Sequence, residues 1–142
     1  MRIQYFNTSQ WGIQAKKFNP LFRKISLRLG APKGLISVIF VTDEIIHGLN
    51  LTTRRIDQPT DVLSYEYTHQ PKNDLDLLGE IYISIDTVRR HAFENHRPFK
   101  NELHWVMVHG ILHLYGYDHE TDEDDEDMRK IECDILDQKI CS

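Results

Sequence analysis

The run LISVIFVT, Leu35 to Thr42, constrains this chain more than any other stretch. It is β-branched, almost unbroken by polar residues, and has the length of a buried strand, which needs a sheet that other elements cover. The flanking segments supply that sheet and its cover. MRIQYF suits a first strand, while TDVLSYEY and GEIYIS place apolar residues at alternate positions and can pair as neighbours across the polar loop THQPKNDLDL. Helical periodicity marks Ala15 to Leu29, with Leu21, Ile25 and Leu29 on one face and Pro20 at its true first turn. A short helix with Asp43 as N-cap is expected through His47 and Leu51, and further helices over Asp86 to Asn95, Lys100 to Tyr115 and Asp122 to Lys139. Strands come early and helices late, and no repeat or Pro/Gly-rich linker divides the 142 residues. The expected fold is therefore α+β: one domain over residues 1–142, a small mixed sheet of about four strands covered by helices.

Charge and composition narrow the setting. The net charge of −5 argues against a nucleic-acid partner until its location is considered. Seven of the eight residues in ETDEDDED, Glu120 to Asp127, are acidic, and outside that block 17 basic groups face 15 acidic ones. The block reads as the solvated first turn of the last helix, where carboxylates suit the positive end of the helix dipole; a second metal site is the alternative. The N-terminal residues lack the apolar stretch of a signal peptide and no window approaches a membrane span, so a soluble, cytoplasmic protein is expected. Cys133 and Cys141, close together near the C-terminal end, form no disulfide framework and are expected to be reduced thiols.

The chemistry concentrates in HGILHLYGYDH, His109 to His119. Leu103, Met107, Ile111 and Leu114 recur at helical spacing ahead of Gly116, a residue suited to the left-handed position that closes a helix. His109 and His113 are then one turn apart, about 40° around the helix axis, and can converge on one ion. Beyond the Gly116 turn, His119 can return as a third nitrogen ligand. This spacing, H-x3-H-x2-G-x2-H, is that of the metzincin proteases, except that Gly110 stands where those enzymes need a glutamate base. Peptidase machinery is thus incomplete. Three imidazoles suit Zn²⁺ first, with nickel, copper or iron as rivals, and leave a coordination position for water. Cys133 could close the site as a fourth ligand, although helix packing alone does not direct it there. Asp118 either accepts a hydrogen bond from a ligand imidazole or caps the turn. His47, His69, His91, His96 and His104 read as surface or capping residues.

Taken together, HGILHLYGYDH, LNLTTRRIDQPTDVLSYEY and LGEIYIS resemble the YbeY family of bacterial endoribonucleases, over most of the chain from about Ser37 to MRKIECDIL. The resemblance implies an α+β fold, one zinc held by His109, His113 and His119, and cleavage of single-stranded RNA in ribosomal RNA maturation. It further implies the 3′ end of small-subunit rRNA as target, with the ribosome or small-subunit assembly factors as partners and neither DNA nor a membrane. The family's functional arginine falls on Arg54, with Arg55 as a second candidate. Thr53 departs from a position that is often aromatic, and Tyr65 replaces the usual phenylalanine.

An arginine suits this chemistry, because guanidinium stays protonated and presents paired donors to a phosphate whose charge grows during cleavage. Either a zinc-activated water or the RNA 2′-hydroxyl can serve as nucleophile. Asp61 and Ser64 follow Arg54 in a strand whose alternation puts them on opposite faces, so at most one should line the same cleft. Arg54, Arg55, Arg89, Arg90, Arg97 and Lys100 form the basic collection for an RNA path. Two other readings use the same residues: a zinc hydrolase of peptides or esters, and a non-catalytic ribosome-binding module.

Overall fold

The computed structural model describes residues 1–67, 77–118 and 120–136. Strand β1 (Arg2–Phe6) is followed by two short 3-10 turns and helix α1 (Asn19–Arg28), whose second residue is Pro20. The long periodic segment from Ala15 thus breaks into a 3-10 turn and an α-helix at the proline, as expected of a residue that lacks an N–H and fixes its φ. Strand β2 (Leu35–Val41) leads into α2 (Asp43–Arg54), then β3 (Val62–Glu66), β4 (Leu77–Ser84), α3 (Ile85–Glu94), α4 (Phe99–Leu114) and α5 (Asp122–Leu136). The sheet order is β1-β2-β4-β3, with β1, β2 and β4 parallel and β3 antiparallel to β4.

The apolar run of β2 is explained by its central place. Ile36, Val38 and Phe40 join the main core with α1, α4 and α5, while Val41 packs on the opposite face with Ile46 of α2 and Leu63 of β3. A strand covered on both faces has no position for a solvated side chain. Among the described residues no helix is long and apolar enough to cross a membrane.

Two local expectations change. The N-cap of α2 is Thr42, whose hydroxyl accepts from the Ile45 amide, and Asp43 is the first helical residue. Its carboxylate is committed elsewhere: it accepts from Ser84 at 2.7 Å, Thr87 at 2.6 Å and Arg90 at 2.5 Å, joining α2 to α3. Burial alone would raise the Asp43 pKa, but these donors and the Arg90 charge together outweigh it and hold the carboxyl below its ordinary value. Among the described residues no cysteine is a free thiol: Cys133 is disulfide-bonded, against the expected reduced state. That bond removes its thiolate as a fourth metal ligand.

Helix α4 lies very close to the sheet at two glycines. At Gly110 an added Cβ would stand 3.0 Å from Ile81 Cγ2 and 3.2 Å from Val62 Cγ2, and Ser64 donates its hydroxyl to the Gly110 carbonyl at 3.1 Å. In β4, a Cβ at Gly79 would meet the Tyr65 carbonyl oxygen, part of the backbone, and lie 2.7 Å from Leu114 of α4. The Tyr65 carbonyl is backbone and cannot yield without moving β3. Gly79→Ala is expected to lower stability by about 3 kcal/mol through this overpacking, read as a lower urea midpoint with unchanged slope.

Candidate functional site

Arg54 reaches the site because of how α2 ends. Arg55 adopts the left-handed C-cap conformation (φ 58°), and its amide returns to the Leu51 carbonyl. The buried Asn50 side chain donates to the Gln58 carbonyl at 2.9 Å, which folds the following segment back toward β3. The two departures from the family pattern meet here, since Thr53 Oγ1 and Tyr65 Oη lie 3.0 Å apart and tie the helix end to the strand. Arg54 then faces a cleft of about 570 Å³ that it lines together with His109, His113, Asp61, Ser64 and Glu66. Arg55 does not line it. Among the described residues no carboxylate pairs with Arg54, in contrast to Arg90, which Asp43 and Thr87 occupy.

His109 and His113 stand as the helical spacing requires, one turn apart on α4, with their Nε2 atoms 3.0 Å from each other. Each ring is held by its other nitrogen. His113 Nδ1 is 2.8 Å from the Tyr117 carbonyl, which can only accept, so that nitrogen carries the proton and Nε2 presents a lone pair. His109 Nδ1 is 2.9 Å from Glu132 Oε1 of α5, with the same consequence. Two imidazoles fixed in this way present their Nε2 atoms to one point, as ligands of a single ion do. These donors therefore fit a transition metal. His119 lies outside the described residues, and the described residues alone contain no group of three possible ligands.

Glu132 is the functional residue that sequence reasoning missed. Its carboxylate is 6% exposed, accepts from His109 and also from the Trp105 indole at 3.2 Å, while Trp105 stacks on His109 with centroids 5.1 Å apart. The available signal was an acid among Met128, Ile131 and Ile135, the buried residues of α5. Asp118 lines the cleft and accepts from the Glu120 amide at 3.2 Å, which is the turn-capping alternative. Asp61 and Ser64 both line the cleft, against the alternation argument, because Asp61 precedes β3 and is not bound by its pleat. Position 110 faces the sheet and not the cleft, so a glutamate base has no room there. His104 is half-buried against Phe18, with centroids 5.8 Å apart, and burial, then Lys100, lowers its pKa; it is a packing residue, not a surface one. His47 pairs with Asp57 and His91 with Asp61 at the surface, and His69 lies outside the described residues. The acidic block forms the exposed first turn of α5, with Thr121 accepting from the Asp124 amide.

The fold and site define a class: a small α+β protein whose central helix presents paired imidazoles in an open cleft, beside an arginine with which no carboxylate among the described residues pairs. A family model described as Endoribonuclease YbeY matches residues 5–139. A Wolbachia endoribonuclease YbeY is 41% identical over 78% of this chain and 72% of that protein. The Shouchella clausii endoribonuclease YbeY is 35% identical over 94% and 88% of the two chains. A solution structure of a Thermotoga maritima protein superposes with a TM-score of 0.62 at 31% identity, covering 95% of this chain and 89% of the other. The chain belongs to the endoribonuclease YbeY family, and the activity that membership carries is hydrolytic cleavage within RNA chains.

The hydrogen bond from His109 to Glu132 makes a prediction about metal affinity. Glu132→Gln keeps the shape but removes the carboxylate charge, so metal affinity should fall about 10- to 100-fold. Competition titration against a chromophoric chelator measures it, and unchanged affinity would remove Glu132 from the site.

Proposed function

We propose that this chain is a single-strand-specific, zinc-dependent endoribonuclease of the cytoplasm. In this reading it matures ribosomal RNA, at the 3′ end of the small-subunit rRNA, serves ribosome quality control, and works with the ribosome or small-subunit assembly factors. The observation that carries the reading is the convergence of His109 and His113 Nε2, each ring held by an acceptor on Nδ1, in a cleft that Arg54 also lines. His109, His113 and His119 would hold the metal, and all-imidazole ligation favours zinc over nickel, copper or iron. Zinc bound there would supply a Lewis acid and an activated water for phosphodiester cleavage.

The chain's own groups do the rest. Arg54, exposed at the end of α2 and free of a carboxylate among the described residues, can give the paired N–H donors of a guanidinium edge to a phosphate. An ion pair that need not be broken first leaves its full donor set for the charge that develops in the transition state. Glu132 and the Tyr117 carbonyl hold the imidazoles in one tautomer, so no reorientation is needed when substrate arrives.

Two outcomes test this reading. Arg54→Ala should retain one metal per chain and its melting temperature while losing cleavage by on the order of 10²-fold or more. Metal analysis with a labelled-RNA assay checks both, and normal cleavage in that variant with an inactive Arg55→Ala would move the role to the neighbour. His113→Ala should lose the metal. In a second measurement, single-stranded RNA should be cut and the same sequence annealed to its complement largely spared, since an unpaired strand can bend one phosphodiester into the cleft. Binding should weaken steeply as salt rises, and equal cleavage of both forms would contradict the single-strand assignment.

A further inference from the structure

A second cavity, about 480 Å³, opens beside the cleft among α3, α4 and α5, a size within the ~300–1,000 Å³ range of sites for small ligands. Asp61 lines both cavities, and Glu132, which holds His109, lines the second, so one begins where the other ends. Trp105 connects them: its indole stacks on His109 and also lines the second cavity. Two arginines, Arg97 and Arg129, complete the lining.

The charges in this groove are unequal in availability. Glu132 is satisfied by His109 and Trp105, and Asp61 Oδ1 accepts the Val62 amide at 2.8 Å. Glu102 is 3% exposed, and its Oε2 lacks a hydrogen bond, holding Arg97 by charge alone at 3.7 Å. The Arg97 guanidinium in turn forms no hydrogen bond among the described residues and is 41% exposed. A buried carboxylate thus fixes the arginine in place while its donors stay free for an anion. Arg129 pairs with Asp125 in a surface contact one helical turn away, the kind of pair that exchanges readily for a phosphate. Arg90 and Arg89 differ: the first is occupied by Asp43, and the second lies over the Phe99 ring at 5.7 Å.

We propose that this groove binds the nucleotide next to the scissile phosphodiester of single-stranded RNA, its base against Trp105 and its phosphate at Arg97 and Arg129. An aromatic surface flanked by cations is the arrangement that holds unpaired nucleotides without reading their sequence. The inference rests on the endoribonuclease reading for its substrate, and binding can be measured apart from cleavage.

The test uses the full chain loaded with metal and a fluorescein-labelled eight-nucleotide single strand carrying 2′-O-methyl groups, followed by anisotropy over a range of salt concentrations. Arg129 is a surface residue, so Arg129→Gln folds as the parent does. It should raise Kd at least about 3-fold and reduce the slope of log K against log salt by about one. The double variant Arg97→Gln/Arg129→Gln should raise Kd by about 10-fold or more. Parental Kd and slope in Arg129→Gln would overturn the groove and leave the activity standing. Failure of the parent to cut any RNA would overturn the endoribonuclease reading, while the binding data would still judge the groove.

Discussion

The contact between α4 and the sheet governs the rest of the structure. At Gly110 the helix approaches β3 and β4 so closely that an added Cβ would stand 3.0 Å from Ile81 and 3.2 Å from Val62, and Ser64 fastens it by a hydrogen bond to the helix backbone. Residues 109 and 113 lie on the same side of that line of contact, about 100° and 60° around the axis from position 110, which turns both toward the cleft. A larger residue at 110 would lift the helix, and the histidines would leave the point on which they converge. The same closeness denies position 110 any part in chemistry. The site therefore differs from a peptidase centre for a steric reason as well as a chemical one.

What the helix positions, α5 orients. A carboxylate with 6% exposure is costly unless its charge is met, and Glu132 is met by an imidazole and an indole N–H from one face of α4. The bond fixes the His109 ring, and the Tyr117 carbonyl does the same for His113 immediately beyond the Gly116 turn. Each imidazole is thus oriented by a neighbouring oxygen that accepts a hydrogen bond from its Nδ1. Core packing of Met128, Ile131 and Ile135 keeps Glu132 at its station.

The electrostatic division follows from the same geometry. The acidic block is spent on the exposed first turn of α5, where the helix dipole favours it. The arginines of the sequence do not act as one patch: Arg90 serves the junction of α2 with α3, Arg54 faces the cleft, and Arg97 faces the neighbouring groove. A chain of net negative charge can in this way present cations where a phosphate would lie. Their number is small, which suits a strand presented by a larger particle better than a long free polyanion.

The sequence by itself determined the elements and the pairing of His109 with His113 on one helix face. The apolar run of β2, the alternation in β3 and β4, Pro20 and Gly116 each carry local stereochemistry, and His109 and His113 share a face because a helix repeats every 3.6 residues. Resemblance added Arg54, which no local rule selects. Tertiary structure alone decided what depends on residues far apart in the chain: Glu132 under His109 from 23 positions away, Asp43 committed to α3, His104 packed on Phe18, and Asp61 freed from the strand pleat. Sequence periodicity says which way a residue points from its own backbone. It does not say which element stands opposite, and the partner across that gap determines whether a buried acid orients a ligand or merely fills a helix face.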